Sequence, residues 1–214
     1  MTAGSVSSAV SASSLSTYTF SALAVDATAT AAVVNVFGRV AGTSATLNTL
    51  TPSVGTANVI TGGEARNTNA GNLSLQKSYY VTFPLGTTSI NLTATFSAAM
   101  LRAGVSVQSV IGSSGTTPSG AAVAINQTAI NQAPSTTVTV PGGGCAFVSG
   151  SQIGTGTATG PTPTNYTQDL GATLIAASMY LSAGHDTNTG SRTHTMTWAG
   201  QTSPTDTMVV VACS

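Results

Sequence analysis

Apolar and polar residues alternate with a period of two along most of this chain. The clearest case is 89–96 (SINLTATF), with Ile90, Leu92, Ala94 and Phe96 on one side and Asn91, Thr93 and Thr95 on the other. That is the pattern of a strand buried on one face. Segment 103–111 repeats it, with Val105, Val107 and Ser109 together, and 17–25 alternates around Tyr18, Phe20 and Leu23. In 32–40 (AVVNVFGRV), Val34, Val36 and Gly38 oppose Val33, Asn35 and Phe37. Shorter β-rich runs lie at 45–50, 57–61, 78–83, 122–126, 136–140, 145–149, 173–181, 193–198 and 207–213. Gly, Pro, Asn and Ser punctuate them at intervals of roughly 8–12 residues, the spacing of a sandwich or jelly roll. Helical patterning is confined to single turns at 97–101 (SAAML) and 128–132, too short to stand alone. The expectation is an all-β, antiparallel, β-sandwich or jelly-roll-like fold.

Two stretches break the alternation. Residues 1–16 are Ser/Ala-rich and of low complexity, and read as an extended N-terminal arm able to dock on a neighbour. Residues 150–163 (GSQIGTGTATGPTP) read as a long loop. About 50 residues follow that loop, too few for a second β domain of this style, so 17–214 is expected to be one sandwich domain.

Composition then narrows the function. Only 5% of residues are charged, five basic against five acidic, while 41% are hydrophobic. A disordered chain needs the opposite balance, so this one folds, and its surface is covered by the hydroxyls of 27 Ser and 38 Thr. With no net charge, little keeps copies apart, which points to an oligomer or an assembly. The five cations, Arg39, Arg66, Lys77, Arg102 and Arg192, are scattered, whereas nucleic acid demands clustered ones; no nucleic-acid partner is expected. The first ten residues carry no Lys or Arg and no continuous apolar core, so no secretory signal is read. No apolar run approaches the ~20 residues of a membrane-spanning helix. These features suit a protein made and used in a cytoplasm, or one whose leader has been removed.

Candidate chemistry is sparse. The acids are Asp26, Glu64, Asp169, Asp186 and Asp206, none clustered in sequence, so the two facing carboxylates of a glycan hydrolase are not expected. His185, Asp186 and His194 could converge across a hairpin, but their spacing matches no metal motif, and 183–192 reads as an exposed loop; no metal and no cofactor are expected. Gly142, Gly143 and Gly144 lack the Lys-Ser/Thr of a phosphate loop and read as a turn after Pro141. Cys145 and Cys213 are the only cysteines. They admit three readings: two buried thiols, an intrachain disulfide, or a bridge between subunits. Trp198, with Tyr166 and Tyr180, would offer sugar-stacking surfaces if exposed, and core packing if not.

Several segments resemble the small Gly/Ala/Thr-rich β-sandwich proteins encoded among the structural genes of tailed bacteriophages. They are VVNVFGRV (33–40), VTFPLGTTSINLTATFSAAMLRAGVSVQSV (81–110), STTVTVPGGGCAFV (135–148) and HTMTWAGQTSPTDTMVVVAC (194–213). Cys145 departs from the small aliphatic residue of that pattern, and Cys213 stands where the final strand usually ends. The resemblance implies a non-enzymatic virion component of head-decoration, collar or fibre type. Its partners would be further copies of itself, as a homotrimer, and the major capsid or another virion protein. The alternative is a receptor-binding or adhesin module that recognises a host glycan.

Overall fold

The period-two segments fold into fourteen strands and three antiparallel sheets in a computed structural model. It describes every residue except 43, 70, 114–116, 128–132 and 174–178, and the side chains of all the others except 125–127, 154–159, 172–173 and 200–204. Eight strands precede residue 112: β1 (Thr2–Ser11), β2 (Leu15–Ala24), β3 (Ala29–Ala41), β4 (Leu47–Pro52), β5 (Thr56–Asn69), β6 (Asn72–Thr82), β7 (Ser89–Met100) and β8 (Arg102–Ile111). Six follow: β9 (Gly120–Gln127), β10 (Ser135–Val140), β11 (Cys145–Thr164), β12 (Thr167–Thr173), β13 (Met179–Asp186) and β14 (Gly190–Cys213). The described residues contain no helix, and none that could cross a membrane. Residues 97–100 continue β7 instead of making a helical turn; the turn expected at 128–132 lies outside the described residues.

The middle layer is the sheet β1-β8-β3-β6-β5. One face packs on the small sheet β2-β7-β4 to form a β-sandwich. Tyr18, Phe20 and Leu23 of β2 and Ile90, Leu92, Ala94 and Phe96 of β7 meet Val34 and Val36 of β3, Leu73 and Leu75 of β6, and Val105 and Val107 of β8. The opposite face carries a third layer, the sheet β10-β14-β11-β13-β12, with β9 also paired to β14. The two halves of β14 differ in their outer neighbours: 190–195 pair with β10 and 205–212 with β9, while β11 runs beside both. Met196 and Trp198 of the first half pack with Met208 and Val210 of the second, so this sheet curls back over its own core.

A middle sheet is buried twice, which explains β3. Its residues from Ala31 to Gly38 are all buried because Val34 and Val36 face the small sheet while Ala31 and Val33 face the C-terminal one. The contact between the middle and C-terminal layers is only partly apolar. Gln76 donates through Nε2 to Ser149 Oγ at 2.7 Å, Ser74 Oγ lies 3.4 Å from Ser151 Oγ, and Ser151 Oγ lies 2.9 Å from Thr207 Oγ1. Gln108 donates to Gly184 O at 2.7 Å, and Asn67 to the backbone oxygen of Asp206 at 3.1 Å. Each such bond contributes about 1 kcal/mol when made, and a buried polar group left unmade costs more. The stripe therefore fixes how the layers sit on each other more than it adds cohesion.

Two sequence expectations are revised here. Residues 1–16 are not a free arm: β1 lies along β8 from Thr2↔Ile111 to Ser11↔Ala103 as the edge strand of the middle sheet, and Leu15 opens β2. Its Ser/Ala face, too weak to build a core, is enough for an edge whose cohesion comes from backbone pairing. The packed antiparallel sheets are the expected β-sandwich architecture, here stacked in three layers. The segment 150–163 is the body of β11, paired with β14 as far as Thr164↔Thr195. Its pairing with β13 is described from Ala146↔Asp186 to Ile153↔Met179, and Pro161 and Pro163, which cannot donate to a ladder, come near the end of β11.

Candidate functional site

One end of the C-terminal sheet opens into a polar cleft of about 290 Å³, lined by Asn165, Tyr166, Thr167, His185, Asp186, Thr187, Asn188 and Arg192. Its floor is built by a turn signature overlooked in the sequence, Asp186-x-Asn188. Asp186, the last residue of β13, accepts at Oδ1 from the backbone N of Asn188 (2.9 Å) and its Nδ2 (2.7 Å). Such a side-chain-capped turn is the usual work of Asp before a loop. Oδ2 accepts from Arg192 Nε and His194 Nε2, both at 3.0 Å, as β14 returns. Burial alone would raise the Asp186 pKa, but the bonds from Asn188, Arg192 and His194 outweigh it and hold the carboxyl below its ordinary value. His194 is fully buried, and burial drives its pKa down against the pull of Asp186. It is therefore a neutral imidazole with its proton on Nε2.

His185 and His194 do not converge. His185 turns to β12, where its Nδ1 lies 2.6 Å from Asp169 Oδ2, a pairing with no sequence signal because sixteen residues and a strand reversal separate the two. Among the described residues no group of three or more His, Cys, Asp or Glu side chains could hold a metal ion. Asp186 lies in a structural network and is only 4% exposed, against the expectation of an exposed loop at 183–192.

The remaining acids also have structural places. Asp26 caps the turn before β3 through Thr28, Glu64 lies 3.4 Å from Lys77 and 3.5 Å from Arg66, and Asp206 is buried between layers. Burial pushes the Asp206 carboxyl up to about 7.

Of the aromatic residues considered for sugar stacking, Trp198 and Tyr166 are buried. Trp198 is fully buried in the C-terminal core and Tyr166 is 9% exposed. Tyr180 stands edge-on against Trp198 with ring centroids 5.8 Å apart. Trp198 and Tyr166 present no open ring face and Tyr180 is half-buried, so stacking on Trp198 as a recognition platform is set aside. Cys145 and Cys213 are free thiols, both buried, and are register partners across β11 and β14. The glycines before Cys145 form the expected turn: Gly143 takes a positive φ of 74°, and Gly144 N donates to Pro141 O at 2.9 Å.

The outer face of the small sheet is a regular polar surface. Strands β2, β7 and β4 each carry Thr-x-Thr in register, so Thr17, Thr95 and Thr49 form one row and Thr19, Thr93 and Thr51 the next. Thr19 and Thr93 hydroxyls lie 3.3 Å apart, Thr17 and Thr95 3.5 Å. The residues between them, Tyr18, Ala94 and Leu50, point into the sandwich core. The chain matches no family model, no curated protein and no solved structure.

Proposed function

We propose that this chain is a non-enzymatic structural component of a tailed-phage virion, a decoration or accessory protein that adds buried contact across neighbouring capsid subunits. The observation that carries the reading is the six-threonine face of the small sheet. Burying a charge in an interface costs several kcal/mol unless it is paired. An uncharged face of hydroxyls, four of which already pair across β2 and β7, can be covered with far less penalty. The structural use of Asp26, Glu64, Asp169 and Asp186 supports the same reading, as does the resemblance of 81–110 and 194–213 to virion β-sandwich proteins. Self-association into a homotrimer belongs to this proposal, since a neutral surface offers little repulsion.

The test is incorporation into particles. Particles assembled with the unaltered chain should carry it in stoichiometric amount, and a Thr93→Lys/Thr95→Lys chain that keeps its buried-Trp198 fluorescence should be lost from them. Absence of the unaltered protein from purified particles, or full incorporation of the double variant, would overturn the proposal. Sedimentation at micromolar concentration should give a trimer; monomer alone contradicts that part.

A second reading is favoured by the cleft. Arg192 uses only Nε on Asp186, and with His185, Asn165 and Asn188 it lines a polar surface suited to hydroxyl- and carboxylate-bearing host glycans. Binding on a glycan array that disappears in Arg192→Ala would support this reading, and an array with no signal would end it.

A further inference from the structure

We propose that Cys145 and Cys213 close a cross-strand disulfide that ties the start of β11 to the end of β14. The two are directly opposed in the antiparallel register, at the first position of one strand and the last of the other. Side chains so placed leave the sheet on the same side with Cβ atoms about 4.5–5.5 Å apart. A disulfide asks for a Cα separation of roughly 4.4–6.8 Å and Cβ atoms some 3.5–4.5 Å apart, so only a small approach of two strand ends is needed. Both residues are within 1% of full burial, and both belong to the apolar cluster of Val33, Tyr80, Phe147, Val209 and Val211. Nothing in that cluster could make either thiol a metal ligand or a nucleophile. The burial of Cys213 inside its own chain also argues against a bridge between subunits.

Timing follows from the same surroundings. Burial pushes the Cys145 thiol up to about 11, and it raises the Cys213 thiol too, with the neighbouring Cys145 adding to the effect. Exchange requires a thiolate, so the finished fold protects its thiols and the bond must close while the strand ends are still open. With glutathione disulfide as oxidant, one cysteine thiolate attacks it, forms a mixed disulfide and releases one glutathione thiolate. The second cysteine thiolate then attacks the protein sulfur of that mixed disulfide and releases the second. The protein loses two protons and two electrons, and the oxidant becomes two glutathione molecules. Once closed and buried, the bond resists reduction as the thiols resisted oxidation.

The decisive experiment refolds the denatured full-length chain in parallel with a glutathione redox pair and with dithiothreitol. In the oxidised sample, thiol titration under denaturing conditions should fall from two per chain to none. Peptide mapping without reductant should recover the 145 and 213 peptides linked within one chain. That sample should melt roughly 5–15 °C above the reduced one. Cys145→Ser and Cys213→Ser chains should melt identically in both buffers; if either fails to fold, the comparison of the two unaltered samples still decides. Two titratable thiols after oxidative refolding to native Trp198 fluorescence, or linkage only between chains, overturns the proposal.

Discussion

Replacing Asp206 by Asn should stabilise the protein at alkaline pH and leave it almost unchanged in acid. Asp206 is fully buried on the second half of β14, opposite Gln152 of β11, and its own backbone oxygen is held by Asn67 of the middle sheet. Among the described residues neither carboxylate oxygen has a hydrogen-bond partner. Burial dominates, and the nearby Gln152 amide offsets it only in part, so the folded carboxyl titrates at about 7 against 3.8 in the unfolded chain. Between those values the unfolded state has released its proton and the folded state has not, so stability falls as pH rises. The contribution is fully present below about pH 4 and gone above about pH 7. A gap of roughly 3 units at ~1.4 kcal/mol each amounts to about 4 kcal/mol. Asparagine has nearly the same shape and no charge to desolvate, so Asp206→Asn should recover most of that sum near pH 8 and little near pH 4. Urea unfolding followed by the fluorescence of Trp198, the only tryptophan, measures both proteins across this range. The quantity to compare is the difference between variant and parent, because His194 and Asp186 titrate in both. A difference that does not change with pH would refute the assignment of the buried charge to Asp206.

Asp186→Ala should cost about 3–5 kcal/mol, because it leaves buried His194 and half-buried Arg192 without their shared acceptor; denaturant midpoints measure it. Protonation of Asp186 should do the same more gradually, with stability lost as pH falls through its lowered folded pKa. Gly184→Ala should destabilise by about 1–3 kcal/mol or more, since its Cβ would lie 2.1 Å from the Thr167 backbone oxygen and β12 would have to move off β13; calorimetry should show a lower Tm. Removing residues 1–11 should expose the β8 edge over 103–111 and raise both light scattering and susceptibility to unfolding. A truncated chain as soluble and stable as the parent would contradict the pairing of β1.

Most strands were legible because one rule sufficed: wherever one face is buried and the other wet, as in β7, side chains alternate and the period shows. The rule fails where both faces are wet or both are covered. β1 buries too little on either side to alternate. The second half of β11 is written in Gly, Thr and Pro, residues that also spell a loop, and only its partner β14 reveals a strand. In β3 the alternation was visible, but that both of its faces are buried was not, because Asn35 looks like a solvent position and is a core one. The network at Asp186 could have been found from Asp-x-Asn followed by Arg and His on the returning strand. The Asp169–His185 pair could not, since strand order alone brings it together. The threonine rows were legible as Thr-x-Thr three times over, but their alignment across β2, β7 and β4 required the registers.

The place of β14 has a kinetic consequence. It is last of the fourteen strands in chain order, yet it runs between β10, β9 and β11. The sandwich of β1 to β8 has all its pairings once Ile111 has been made, whereas the C-terminal sheet lacks its spine until synthesis reaches Cys213. At translation rates of about 5–20 residues per second, that interval lasts roughly 5–20 s. Throughout it the outer face of the middle sheet, including Val33, Tyr80 and Val110, waits for its cover with paired strands but wet side chains. Synthesis halted within that interval would leave a half-clad sandwich, so the yield of native protein depends on how quickly residues 112–213 are delivered and on what shields that face meanwhile.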